Sequence, residues 1–186
     1  MKPQPLKEAK ARIQQHRKIG PDYFRLRLLC PEIARLAQPG QFIMLRLSEL
    51  RDPFLRRPFS FSRISFLLGK STGAEDEGSL EVCYQVVGRG TSLMTQLREG
   101  QRLDVLGPLG NGFWRVEGRQ QAILVGGGIG VAPLLPWAEL LQGKRKKKGP
   151  RSSEESPEVL VLIGGKSRDK ILGIRELKKI GCEPQI

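Results

Sequence analysis

From residue 23 to residue 106, apolar and polar side chains alternate in short runs. In Tyr23 to Leu29, Phe24, Leu26 and Leu28 fall on one side and Arg25 and Arg27 on the other. That is the period of a half-buried strand. Pro39-Gly40 reads as a turn into a strand over 41–47, and Arg57 to Arg63 alternates loosely as another. Residues 69–79 form a polar loop, after which Leu80 to Val87 places Val82, Tyr84 and Val86 on one face. Gln101 to Leu106 adds a further strand. Strands at this spacing, joined by short loops, predict an antiparallel β-barrel. One helix interrupts them, with Thr91 as its expected N-cap, Leu93, Met94 and Leu97 as its apolar stripe and Gly100 as its stop.

Near Glu117 to Arg119 the pattern changes. Ala122 to Val125 is a continuous apolar run, as expected of a strand covered on both faces in a parallel sheet. A glycine loop follows, then a helix to about Gln142, a basic and Ser/Glu-rich loop over 143–157, and a second apolar strand at Val159 to Ile163. Ser167 is the expected N-cap of a helix over 168–180, with Ile171, Ile174 and Leu177 facing inward; Cys182 to Ile186 begins a further element. The order βαβα is the start of a doubly wound sheet. The expected architecture is a barrel domain over 1–116 and a partial α/β domain over 117–186, with no internal repeat.

Composition fits that plan. The 186 residues are 39% hydrophobic and 27% charged, the balance of a globular chain. The net charge of +13 raises nucleic acid as a partner. Five of those charges, Lys144 to Lys148, sit in one tract that reads as a solvated loop, with an electrostatic lure as the alternative. The remainder form no basic helix and no aromatic-interleaved strand, so no nucleic-acid partner is expected, and a basic nucleic-acid-binding barrel is kept only as the contrasting hypothesis. The N-terminus has no apolar signal region, and the uncharged stretch from Gln120 to Ala138 is broken by four glycines and two prolines. No membrane segment is therefore expected. Cys30, Cys83 and Cys182 lack metal-ligand spacing, and their odd number fits a reducing cytoplasm. His16, the single histidine, reads as a surface residue on a polar strand.

Two segments carry candidate chemistry. Gly126-Gly127-Gly128-Ile129-Gly130-Val131-Ala132-Pro133 comes after an apolar strand and opens a helix. Such a run lets a pyrophosphate approach the backbone and a helix start; a tight turn without a ligand is the alternative. Arg56-Arg57-Pro58-Phe59-Ser60-Phe61-Ser62 could be a strand with a solvated arginine pair. Two segments further along the chain add to its weight: Gly88-Arg89-Gly90-Thr91 opens a second helix, and Gly107 to Phe113 closes the barrel with a glycine-rich run.

In this order the motifs resemble the ferredoxin–NADP reductase superfamily, whose Arg-x-aromatic-Ser signature matches Arg57 to Ser60. The resemblance is closer to one branch, the electron-transfer subunits of two-subunit dihydroorotate dehydrogenases, and spans nearly the whole chain. It implies a flavoprotein that passes electrons from an FMN-containing catalytic subunit through FAD to NAD. Related ferredoxin:NAD(P) oxidoreductase and sulfhydrogenase gamma-type subunits share most of the motifs. By resemblance Arg57 pairs with the FAD pyrophosphate, Ser60 meets the flavin edge where hydride arrives, and Pro58 and Phe59 shape the ring slot. Cys83, Tyr84 and Gln85 line the FAD, Gly90 and Thr91 hold the pyrophosphate from the other side, and Gly126, Gly127, Gly128, Ile129 and Gly130 receive NAD. For Tyr84 a core tyrosine, and for Cys83 an inert buried thiol, are the alternatives. Members continue into a segment with four cysteines that hold a 2Fe–2S cluster. Here three dispersed cysteines cannot, so no metal site is expected and the chain reads as C-terminally truncated, with a complete reduced protein as the alternative.

Overall fold

The computed structural model describes residues 5–47, 54–66, 78–114, 120–146 and 157–186. Six strands close into an antiparallel barrel: β1 (Lys7–Lys18), β2 (Tyr23–Leu29), β3 (Phe42–Arg46), β4 (Arg57–Ile64), β5 (Ser79–Gln85) and β6 (Arg102–Leu109), in the spatial order β1-β2-β5-β4-β3-β6. Closure pairs β1 with β6, so the described barrel leaves no strand edge open. Alternation fills the interior: Leu26, Leu28, Ile43, Leu45, Phe61, Val82 and Val105 are fully buried. Two short helices, α1 (Pro31–Ala34) and α2 (Arg89–Met94), lie over the barrel, and Ile33 and Met94 enter its core.

Beyond the polar strand read around His16, the sequence marks β1 only weakly. Its run Lys-Glu-Ala-Lys-Ala-Arg-Ile is mostly charged, and Ala11 and Ile13 alone are its fully inward side chains. The strand exists because β2 and β6 offer it two pairing edges.

The second unit is a parallel sheet in the order β7-β8-β9: β7 (Gln121–Gly127), β8 (Glu158–Gly164) and β9 (Pro184–Gln185). Three sequence expectations are corrected here. First, β7 is covered on one face only: Leu124 and Gly126 are buried, whereas Ile123 and Val125 stay 60% and 69% exposed. Second, the expected helix over 168–180 is two pieces, a 3-10 turn at Arg168–Lys170 and α4 (Ile174–Lys179). Gly173 separates them at φ +85°, where a Cβ would also meet Val131 and Leu135. The apolar side of the expectation holds, since Ile171, Ile174 and Leu177 pack on the sheet core. Third, the glycine run turns first through a 3-10 segment at Gly128–Val131, and the long helix α3 (Leu134–Lys146) begins only after Pro133.

The proposed domain boundary at 116/117, most of the acidic loop at 69–79 and most of the loop at 143–157 lie outside the described residues, as do the side chains of the basic tract Lys144 to Lys148. Among the described residues no helix is long and apolar enough to cross a membrane.

Candidate functional site at the barrel–sheet boundary

On β5 the inward residues Leu80, Val82 and Tyr84 alternate with outward ones, so Cys83 and Gln85 face the parallel sheet. On β4 the segment Arg57 to Ser60 runs beside them in the barrel wall, joined through the β4–β5 pairing. The first turn of α2 comes from one side and the glycine turn after β7 from the other. The result is a cleft of about 630 Å³ lined by Arg57 to Ser60, Cys83 to Gln85, Val87 to Thr91, and Ile129, Gly130, Ala132 and Pro133. That is the size of a small-molecule or cofactor site.

Glycines leave parts of the cleft open. A side chain at Gly88 or Gly130 would point into open space, and a Cβ at Gly90 would stand 3.4 Å from Arg57 Nε. Arg57 Nη1 donates to the Leu55 carbonyl at 2.8 Å. Thr91 is not the N-cap. Gly88 is, and Thr91 sits three residues in, where its Oγ1 accepts from the N–H groups of Val87 (2.9 Å) and Gly88 (3.2 Å) and donates to the Gly88 carbonyl (3.1 Å). The hydroxyl thus rigidifies the turn rather than projecting freely.

Burial pushes the Cys83 thiol up, against the bond that its Sγ–H donates to Ser62 Oγ at 3.4 Å. Burial also raises the Tyr84 phenol, so both groups are neutral at ordinary pH. Tyr84 borders the cleft, yet its ring is 2% exposed and stacks on Phe24 at 5.5 Å inside the barrel. Its hydroxyl lies 2.9 Å from His16 Nε2. The core alternative for Tyr84 therefore describes its side chain, and His16 is not the surface residue its polar neighbours suggest. The lining supplies arginine charge, hydroxyls, neutral thiol and phenol, and backbone amides. That is a set suited to holding a cofactor that brings its own reactivity.

Of the fourteen residues singled out by resemblance, eleven line this one cleft: Arg57, Pro58, Phe59, Ser60, Cys83, Tyr84, Gln85, Gly90, Thr91, Ile129 and Gly130. The other three lie outside that lining. Gly126 is packed shut, because its Cβ would meet Val131 Cα and Leu134 Cδ1 at 3.0 Å. Gly127 stands in open space, and Gly128 takes φ +51° beside the Tyr23 hydroxyl. Sequence reading did not single out Val87, Gly88, Arg89 and the Ala132-Pro133 corner as lining residues; the Gly-Arg-Gly spacing was the available signal for Gly88 and Arg89. The Gly107 to Phe113 run serves as a strap. Phe113 N–H donates to the Pro39 carbonyl at 2.7 Å, Gln41 Nε2 donates to the Gly110 carbonyl at 2.9 Å, and the Phe113 ring lies 6.0 Å from Trp137 of α3.

The cysteines do not fit an iron–sulfur cluster. Cys30 is in the barrel core, Cys182 is under the parallel sheet accepting from Gln142 Nε2 at 3.3 Å, and Cys83 is on the cleft face.

A closed six-stranded barrel joined to a parallel sheet, with a glycine-opened cleft between them, is the architecture of ferredoxin-reductase-like flavoproteins, and solved structures bear this out. The fold is similar to that in a structure of an NADH-dependent reduced ferredoxin–NADP oxidoreductase studied for flavin-based electron bifurcation, with TM-score 0.72 and 29% identity, covering 95% of this chain and 55% of that one. A cytochrome P450 reductase from Amycolatopsis shares the fold at TM-score 0.73 and 22% identity, over 98% of this chain and 52% of its own. In sequence the chain is similar to the electron transfer subunit of dihydroorotate dehydrogenase B (NAD(+)) from Bacillus velezensis, 34% identical over 178 residues. That alignment takes in 95% of this chain and 62% of the relative, and the chain spans about three fifths of the length of such relatives. No protein-family model matches the chain.

Proposed function

We propose that the chain is the flavin-holding part of an electron-transfer subunit, binding FAD in the cleft and presenting it to NAD, with electrons supplied by an FMN-containing dihydroorotate dehydrogenase catalytic subunit. The observation that carries this reading is convergence. Three regions far apart in sequence, Arg57 to Ser60, the run from Cys83 to Thr91, and the Ile129 to Pro133 turn, meet around one cleft of about 630 Å³.

When bound, FAD would supply the redox chemistry, accepting electrons and exchanging hydride with a nicotinamide. The chain's part is placement. Arg57 offers a planar, permanently charged fork to a pyrophosphate, and Gly88 and Gly90 let the opposing backbone come close. Ser60 offers a hydroxyl, and Phe59 with Tyr84 behind it forms an apolar floor that excludes water from one face of a ring. Across the cleft, Ile129 and Gly130 leave an open approach for a dinucleotide at the carboxyl end of β7, the edge where ligands bind in parallel sheets. Gly127 has the same openness; Gly126 serves this edge by letting β7 pack against the turn.

The test is direct. The purified chain should carry or take up a yellow chromophore absorbing near about 450 nm, as bound flavins do. Heat release followed by chromatography should yield FAD. A colourless chain that takes up neither FAD nor FMN, or one that releases FMN alone, overturns the reading.

A further inference from the structure

Half-buried His16 is turned to the inward face of the barrel by a defect in β1. The β1–β2 register shifts between Ile13 and Gln15, so that Ile13 pairs with Leu28 while His16 pairs with Leu26. A one-residue bulge exchanges the faces of a strand. Leu26 is fully buried, and His16, its direct partner, takes the same inward side. There its two ring nitrogens are both engaged. Nδ1 lies 3.0 Å from the Leu97 carbonyl, and Nε2 lies 2.9 Å from the Tyr84 hydroxyl. A carbonyl only accepts, so Nδ1 carries the proton; in the neutral ring Nε2 then accepts, and the Tyr84 hydroxyl is the donor.

One of these partners lines the cleft, and the other lies behind it, at the end of a helix whose first turn does. Tyr84 is on β5, and its ring meets Phe59 of β4 edge-on at 6.1 Å. Leu97 lies in the turn that leaves α2, with its N–H donating to the Met94 carbonyl at 3.1 Å. The same α2 begins at the Gly88 to Thr91 turn of the lining. One imidazole therefore ties the aromatic floor to the far end of the glycine turn.

We propose that His16 is a positioning residue for the flavin: it holds the Tyr84–Phe59 floor and the α2 turn at the separation that admits FAD, through its two hydrogen bonds and not through its bulk alone. The inference rests on the reading that the cleft binds FAD.

The test uses three variants of the full chain, titrated with FAD by fluorescence quenching and by visible circular dichroism of the bound flavin. His16→Leu fills similar space without either bond, and should bind FAD about tenfold more weakly with an altered dichroic band, as expected for two hydrogen bonds. His16→Gln can donate to Leu97 and accept from Tyr84, and should stay within about twofold of the parent with an unchanged band. Tyr84→Phe loses one bond and should fall between them. If His16→Leu does not fold, Tyr84→Phe, which removes a single hydroxyl, carries the test alone. Equal affinity and dichroism in the parent and the variants overturn the role of His16 while leaving the FAD reading intact. Equal weakening in His16→Leu and His16→Gln also overturns it, because shape and not hydrogen bonding would then be responsible. A parent chain that takes up no flavin overturns the functional reading and this inference with it.

Discussion

At the scale of single residues, Arg57 and Asp169 carry the sharpest expectations. Arg57 donates a hydrogen bond to the Leu55 carbonyl, and its Nε stands 3.4 Å from where a Cβ at Gly90 would lie. A charge-assisted bond to a pyrophosphate contributes about 1.5–3 kcal/mol. Arg57→Ala should therefore weaken FAD binding by at least about tenfold, measured by flavin titration of the apoprotein. Unchanged flavin content would remove Arg57 from the site. Asp169 and Arg168 are exposed in the 3-10 turn just beyond β8, where a dinucleotide's ribose is read in parallel-sheet folds. A hydrogen bond from the Ser167 hydroxyl, 2.5 Å from Asp169 Oδ1, holds that carboxyl below the usual carboxylate range. At neutral pH it is ionised, favouring a ribose hydroxyl and opposing a 2′-phosphate, while Arg168 pulls the other way. NADH should be the better donor in dye reduction, and Asp169→Asn should raise the NADPH/NADH ratio of kcat/KM by about fivefold, the effect of one screened charge. A ratio that does not move would show that selection lies elsewhere.

Between elements, the ion pair that joins barrel to sheet is the telling one. Glu81, with its side chain 6% exposed, receives Arg27 at 2.5 Å and stands 3.7 Å from Arg25 and 3.9 Å from Arg63. Arg25 then reaches across to Glu176 on α4. Burial is the largest single influence on Glu176 and works against its charge, but the hydrogen bond from Arg25, a backbone hydrogen bond and the positive charges of Arg25 and Lys179 together outweigh it and hold the carboxyl below its ordinary value. A depressed carboxylate stabilises the fold above its unfolded pKa, and that contribution is lost as pH falls through the folded value. The link should therefore hold at neutral pH and release only once the pH has fallen below the ordinary glutamate range. Glu176→Gln should cost about 0.5–1 kcal/mol at neutral pH and remove this acid-dependent step from hydrogen exchange of α4. Persistence of the step in the variant would assign it to another carboxylate. None of this was legible in the chain, because Arg25 and Arg27 look like any solvated face of a half-buried strand until the second unit is packed on them. What could be read were β2 to β6 and β8, where alternation or an apolar run matched the burial. β1 escaped because its pairing comes from its neighbours, and its bulge hid the inward turn of His16. β7 misled because an apolar run does not say which faces are covered, and Gly173 broke a helix whose apolar periodicity was otherwise sound. That the motif residues would share one cleft was readable from their order, since the glycine runs and Arg57 stand in distinctive motifs; the Tyr84–His16 contact was not, since those residues lie 68 positions apart.

For the whole molecule, the two units differ in how completely they bury their apolar surface. Among the described residues the barrel core comprises eighteen buried side chains, from Ala11 to Val105, wrapped by a sheet with no edge. The core of the parallel sheet comprises eight, its last strand is two residues long, and the outer face of β7 leaves Ile123 and Val125 in water. Apolar burial stabilises by about 25 cal/mol per Å², while ordering each residue costs about 1–2 kcal/mol, so the smaller core leaves the smaller surplus. Unfolding of the isolated chain should then proceed in two steps, the parallel sheet opening first and the barrel later. Arg25–Glu176, an ion pair worth at most about 1 kcal/mol, is too weak to fuse them into one transition. The cleft lining is concentrated on the barrel side, so FAD bound there as proposed should raise the second transition, by about 2.7 kcal/mol at a hundredfold excess over its dissociation constant, and move the first much less. Differential scanning calorimetry with limited trypsin digestion checks both parts. The expected outcome is two endotherms, with early cleavage in the C-terminal unit and a barrel fragment that persists longer when FAD is present. A single endotherm that FAD shifts as one, with both units cleaved at equal rates, would show that the molecule folds as one cooperative body.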